Sequence, residues 1–189
     1  MDKIDKVFYV NLERRTDRKA WVESEFEKYG VTNYERFSAI EHKCGAVACG
    51  KSHLAILKIA KERGYKRVII LEDDVDFLVT KEEFHKNMND LKDVYFDVCF
   101  LSNEWKHLAG IDYNKLHITQ RTLLTSGYIV GERHYDNLIR ELELTNIMFD
   151  LLGVDWVKYM DVVWDKLESK INLRMKTFFF NVPNRNWRR

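Results

Sequence analysis

The stretch VIILEDDVDF, Val68 to Phe77, decides how this chain is read. Its first four residues, Val68 to Leu71, are all β-branched or aliphatic, the composition of a short strand buried on both faces. Four carboxylates then come within five residues: Glu72, Asp73, Asp74 and Asp76. They stand at the carboxyl end of a buried strand, which is where open α/β sheets bind their ligands. Like charges this close repel unless solvent, hydrogen bonds or a cation compensates. A hard divalent ion such as Mn2+ or Mg2+ would take carboxylate oxygens and leave positions open for substrate phosphates. A solvated acidic turn is the plainer alternative.

Working outward from that strand, the chain alternates extended and helical signals. On the N-terminal side, Val7 to Leu12 (VFYVNL) reads as another buried strand. Trp21, Val22, Phe26 and Tyr29 then mark a helix over Thr16 to Tyr29, stopped by Gly30. Tyr34 to Ile40 suits a second strand, and Leu54, Leu57 and Ala60 suit a helix ending near Gly64. On the C-terminal side come a helical stretch around Lys81 to Leu91, a strand from Phe96 to Leu101 and an extended segment from Leu123 to Val130. Tyr135, Leu138, Ile139 and Leu142 form a helical stripe, and Met175 to Val182 is expected as an edge strand. This alternation predicts an α/β fold with a largely parallel central sheet flanked by helices. No repeat interrupts it, no linker rich in Gly, Ser or Pro appears, and the lone proline is Pro183, so residues 1–189 are expected to form a single domain.

Composition narrows the function classes. Hydrophobic residues make up 46% of the chain, enough for a core and too many for a disordered segment. Lys and Arg number 31 against 30 Asp and Glu, so there is no basic excess to suggest a nucleic-acid or membrane-surface binder. Cys44, Cys49 and Cys99 are an odd set with no CxxC pair, which argues against a disulfide framework and against a cysteine zinc site. The apolar run near the N-terminus is too short for a signal sequence or an integral membrane segment. A cytoplasmic protein is expected, and a viral or phage enzyme acting inside a host cell would read the same way.

Gly45 to Ser52 (GAVACGKS) satisfies the P-loop pattern GxxxxGK[ST], which makes a P-loop NTPase a competitor. A P-loop must spring directly from a strand so that its amides wrap phosphate at the next helix. Here Glu41 to Cys44 intervene, and the interior Ala-Val-Ala-Cys looks like the start of a packed helix. The match is therefore read as accidental. DVDF (Asp74 to Phe77) also suggests an aspartate-nucleophile phosphohydrolase, but the threonine usual after that pair is missing.

Several blocks, taken in order, resemble glycosyltransferase family 25, the bacterial lipooligosaccharide and collagen galactosyltransferases. They are VFYVNLERRTDR, FSAI (Phe37 to Ile40), GAVACGKSH ending at Ser52 and His53, LEDDV, and TSGYIVGERHYDNLI. Asp161 in YMDVVWDKL falls where that family carries a further aspartate. The sequence departs from the family at Ala48, where glycine is frequent, and at Gly50 and Lys51, which replace apolar positions.

The resemblance implies a GT-A type nucleotide-sugar-binding sandwich. It also implies a UDP-sugar donor carrying a hexose (galactose or glucose), a hydroxyl acceptor on a glycan or glycoprotein, and inversion at the anomeric carbon. Asp74 is then the leading metal ligand, with Asp76 in reserve. Glu72 and Asp73 would face sugar and ribose hydroxyls, Asn11 and Leu12 the nucleobase, and Arg18 the base or diphosphate. Ser52 would line the donor site, while His53 is expected to orient its neighbours. Asp161 is the expected general base, with Asp155 and Glu104 as rivals. Trp105, Trp156 and Trp164 offer a stacking face for sugar, or belong to the core. The remaining alternative is a non-catalytic carbohydrate-binding module, which would tolerate loss of the acidic cluster.

Overall fold

The computed structural model describes residues 3–77, 79–94, 96–102, 117–119, 126–152 and 175–180. Val68 to Leu71 lie inside strand β3 (Arg67–Glu72), third in a seven-stranded sheet. The other strands are β1 (Lys6–Asn11), β2 (Tyr34–Ser38), β4 (Val98–Ser102), β5 (His117–Thr119), β6 (Gly127–Gly131) and β7 (Met175–Phe180). Their spatial order is β2-β1-β3-β6-β4-β7-β5. β1 pairs in parallel with both β2 and β3, and β4 in parallel with β7. β6 runs antiparallel between β3 and β4, and β5 runs antiparallel to β7. The sheet is thus largely parallel, with β6 and β5 reversed.

Side chains along each strand divide between two cores with the period of two that a strand imposes. Val7 and Tyr9 of β1, with Ile69 and Leu71 of β3, pack against Val22 and Phe26 of α1 (Thr16–Tyr29) and Phe84 and Met88 of α3 (Lys81–Asp90). Phe8, Val10, Val68 and Ile70 point the other way. They meet Ile56 and Leu57 of α2 (Gly45–Glu62) and Leu138 and Leu142 of α4 (Glu132–Leu152). Helices therefore cover both faces, and burial on both sides is why Val68 to Leu71 carries no polar residue.

Helix ends follow local chemistry. α1 stops where Gly30 takes φ 69°, a left-handed conformation that costs glycine little. α3 starts with a capping box, in which Thr80 accepts from the Glu83 amide and the Glu83 carboxylate accepts from the Thr80 amide.

One expectation is corrected. β7 is not the edge strand: the three-residue β5 lies outside it, and so short an element leaves no periodic trace in the sequence. The extended segment expected from Leu123 to Val130 is strand over Gly127–Gly131 among the described residues, and residues 123–125 lie outside them. A Cβ at Gly127 would lie 2.6 Å from the Leu71 side chain, so any larger residue would have to displace that side chain where β6 meets the end of β3.

Candidate functional site

The acidic turn leaves β3 held at several points. The Glu72 amide donates to the Ser126 carbonyl at 2.9 Å. Three residues spaced four apart on α1, and so on one helical face, grip the segment from Val75 to Val79. Trp21 Nε1 donates to the Val75 carbonyl at 3.1 Å, the Glu25 carboxylate accepts from the Phe77 amide at 3.3 Å, and the Tyr29 hydroxyl donates to the Val79 carbonyl at 2.6 Å. The turn is thus tied to a helix by side chains 50 to 54 residues away in sequence, and is not a free surface loop.

Its carboxylates meet unlike surroundings. Asp73 is buried, with one oxygen 2.7 Å from Asn11 Nδ2 and the other 2.8 Å from Arg18 Nη1. Asn11 is buried as well: Nδ2 also donates to the Arg15 carbonyl at 3.0 Å, and Oδ1 accepts from Arg36 Nε at 2.9 Å. Asp74 differs. Its Oδ1 is buried without a hydrogen-bond partner, and Arg18 Nη1 is 3.9 Å from its Oδ2. Burial raises the Asp74 carboxyl above its ordinary range despite the arginine. Glu72 is half-buried, with the Cys49 thiol 3.8 Å from Oε1. Burial, then the charges of Asp74 and Asp73, push its carboxyl up to about 7. Asp76 acts on Lys28 at the far end of α1, whereas Asp74 feels Arg15 and Arg18 near its start, so the two expected metal ligands have different neighbours.

Beside the turn lies a cleft of about 300 Å³ at the carboxyl ends of β1 and β3 and beyond the end of β2. Leu12, Arg18, Ser52, Glu72 and Asp73, five of the expected donor-side residues, line it. Arg14 and Arg15 add positive charge to its rim, although Arg14 pairs with Glu41 and Arg15 with Asp17. The first turn of α2 opens on the cleft through Gly45 and Ala48, with no side-chain cap at Cys44 and no acidic residue. Free amides and the helix dipole together favour an anion there. The cleft therefore offers acids on one side and an anion-favouring surface on the other.

Several expected residues are engaged within the chain. Asn11 is not among the lining residues, and its amide is engaged by Asp73, Arg15 and Arg36. The Ser52 hydroxyl donates to the Ala48 carbonyl at 2.8 Å and accepts from the Ile40 amide at 2.9 Å, tying the loop after β2 to α2. His53 is buried, with Nδ1 3.0 Å from the Tyr128 hydroxyl; burial lowers it to about 4, so it is neutral at neutral pH. Asp161, Asp155, Glu104, Trp105, Trp156 and Trp164 lie outside the described residues. The P-loop match is helix from its first glycine: Gly45 to Ser52 form the opening turns of α2, and Lys51 pairs with Asp150 of α4 at 2.8 Å. No phosphate-wrapping loop exists there.

Sequence reasoning missed Arg36, which holds Asn11, and the nearness of Cys49 to Glu72. The first has no local signal. The second had one: Cys49 and His53 are four apart in a helical segment and so share a face.

Whether the residues suit a divalent cation is tested by Asp74. A buried, unpartnered carboxylate oxygen, beside two further acids and Arg18, is the donor that a hard cation would satisfy. The residues fit.

No family model matches the chain. Over 44% of its length it is 28% identical to Putative glycosyltransferase R655 of Acanthamoeba polyphaga mimivirus, and the match spans 32% of that protein, about a third. Among solved structures it resembles a glycosyltransferase involved in glycosylation of the major capsid of PBCV-1, with a TM-score of 0.61 at 11% identity, covering 92% of this chain and 81% of that one. It also resembles a putative nucleotide-diphospho-sugar transferase from Desulfovibrio desulfuricans G20, with a TM-score of 0.51 at 10% identity, covering 95% and 82%. The GT-A type α/β sandwich expected from the sequence is the fold of the chain. Among the described residues, no helix is long and apolar enough to cross a membrane.

Proposed function

We propose that this protein is a metal-dependent glycosyltransferase that moves a hexose from a nucleotide-sugar donor, a UDP-sugar, to a hydroxyl of a glycan or glycoprotein acceptor, with inversion. One observation carries the reading: a cleft at the carboxyl ends of β1 and β3 with Glu72 and Asp73 on one side and the open first turn of α2 on the other. A nucleoside diphosphate needs the anion-favouring side, and sugar hydroxyls need the acids. The mimivirus relative and the GT-A fold support the same class. The blocks resembling glycosyltransferase family 25 make that family the proposed one, and a cytoplasmic site of action is part of the proposal.

In this reading Asp74 holds Mn2+ or Mg2+ through the oxygen that now lacks a partner, with Asp76 in reserve. When bound, the ion neutralises charge on the diphosphate as the nucleotide leaves. The chain's own residues do the rest. Asn11 and Arg18 fix Asp73 so that its carboxylate keeps one orientation toward the donor. Arg18, already between Asp73 and Asp74, balances their charge and meets the donor on its anionic side. Leu12 and Ser52 shape the nucleoside end of the cleft. Glu72 accepts from a sugar hydroxyl when ionised. Asp161 takes the acceptor proton as the hydroxyl attacks opposite the leaving nucleotide.

The test is donor turnover, read as nucleoside diphosphate released with and without acceptor glycans. Asp74→Ala is expected to reduce it to background and Lys51→Ala to leave it intact. Undiminished transfer by Asp74→Ala would overturn the metal assignment. ATP or GTP hydrolysis lost in Lys51→Ala would overturn the transferase reading itself.

A further inference from the structure

On the inner side of the same cleft, Cys49, His53 and Glu72 bring a thiol sulfur, a ring nitrogen and a carboxylate oxygen within 4.8 Å of one another. The arrangement arises from secondary structure. Cys49 and His53 are one helical turn apart on α2, so their side chains lie on one face, and β3 delivers Glu72 opposite them. Asp74 and Asp76 are not part of this group.

Each member is poorly satisfied as it stands. His53 is fully buried, Nδ1 is engaged by the Tyr128 hydroxyl, and Nε2 has no partner. Cys49 and Glu72 share a thiol–carboxylate contact of 3.8 Å, a weak hydrogen bond. A buried imidazole nitrogen without a partner costs free energy unless a ligand meets it, which a cation does when Nδ1 carries the proton and donates to the Tyr128 hydroxyl. The Tyr128 hydroxyl on the other nitrogen is the kind of outer contact that orients a ligating histidine.

We infer that Cys49, His53 and Glu72 form a second cation site, selective for a borderline-soft divalent ion of the Zn2+ class and distinct from the hard-ion position at Asp74. Sulfur and imidazole donors select such an ion over Mn2+ or Mg2+, which prefer oxygen. Three protein ligands leave a fourth position open, and the cleft, lined by Cys49 and Glu72, is where it opens. The missing CxxC pair does not exclude this site, because that spacing marks cysteine-rich zinc sites and not a set drawn from a helix and a strand. If the transferase reading holds, an ion here ties up Glu72 and so weakens donor binding.

Co2+ substitutes for Zn2+ and reports thiolate ligation by a charge-transfer band in the near ultraviolet, with no donor or acceptor present. The site predicts that band in the full chain at one equivalent of Co2+, its displacement by Zn2+, and its persistence under excess Mg2+. It should survive Cys44→Ser and vanish in Cys49→Ser, with both variants folded by circular dichroism. In a parallel arm, Zn2+ should slow alkylation of Cys49 at least tenfold in wild type and not in His53→Gln. Absence of the band, or its survival in Cys49→Ser, overturns the site. Should Cys49→Ser not fold, unprotected Cys49 in the wild-type alkylation arm overturns it equally. A chain that binds cobalt this way but no nucleotide sugar would keep this site and lose the proposed function.

Discussion

Two carboxylates adjacent in sequence, Asp73 and Asp74, live in opposite conditions. Asp73 has both oxygens taken, by Asn11 and by Arg18, and Asn11 is itself held by Arg36 and the Arg15 carbonyl. Asp74 is partly buried and leaves an oxygen without a partner. The same contrast separates the two sides of the cleft. The β1–α1 side is a connected hydrogen-bond network, whereas the α2–β3 side holds Cys49, His53 and Glu72 with little to bond to. Satisfied polar groups build a scaffold, and unsatisfied ones are what a ligand can reward. Substitutions on the first side should therefore lower stability, and those on the second should lower binding.

The largest effect is expected at Asn11. Asn11→Ala removes buried hydrogen bonds and strands an oxygen of Asp73, which should cost about 3 kcal/mol in urea unfolding. A loss below about 1 kcal/mol would mean that the network is not the scaffold described. Asp74→Asn comes next. Mn2+-dependent nucleotide-sugar affinity should fall at least about 100-fold, close to 2.7 kcal/mol, while the unfolding midpoint stays near wild type. If the midpoint falls and affinity does not, the two aspartates have the reverse roles. Gly127→Ala forces a methyl against Leu71 at the foot of the acidic turn and should cost about 2 kcal/mol. Thr80→Ala, which removes a cap remote from the cleft, should cost about 1 kcal/mol with binding unchanged.

A pH series sharpens the contrast from the other side. Glu72 holds its proton up to about 7 in the folded chain, against an ordinary 4.5, so the folded state binds more protons across that window. Its contribution to stability is fully present below 4.5 and is lost as pH rises through 7. His53 works in the opposite sense: lowered to about 4, it contributes stability above 6.5 that is lost as pH falls through 4. In chelator, Glu72→Gln should thus gain stability over wild type as pH rises from about 5 to about 8. A difference that stays flat would mean that Glu72 is ionised at low pH in the fold.

Much of the architecture was legible because it rests on local pattern. Val68 to Leu71 is apolar throughout because the strand is covered on both faces, and Val22, Phe26 and Tyr29 keep helical spacing because one face of α1 packs in the core under the sheet. β5 left no trace because three residues carry no period. At the site, the acidic cluster was visible as composition, but the division of labour within it was not. Asn11 holds Asp73 across 62 residues of sequence, a contact that only the pairing of β1 with β3 creates. Hence an asparagine expected to meet a nucleobase turns out to be engaged within the chain. The GKS match misled in the opposite direction, since its residues satisfy a pattern whose required loop is here a helix.

The most direct measurement is calorimetric titration of the protein with UDP-, GDP-, dTDP- and CMP-sugars, ATP and GTP, each with and without Mn2+. Saturable, Mn2+-dependent binding of one nucleotide sugar is expected, a UDP-sugar first, together with its loss in Asp74→Asn. Binding of ATP or GTP in preference to every sugar nucleotide, or donor binding indifferent to both Mn2+ and Asp74, would contradict it.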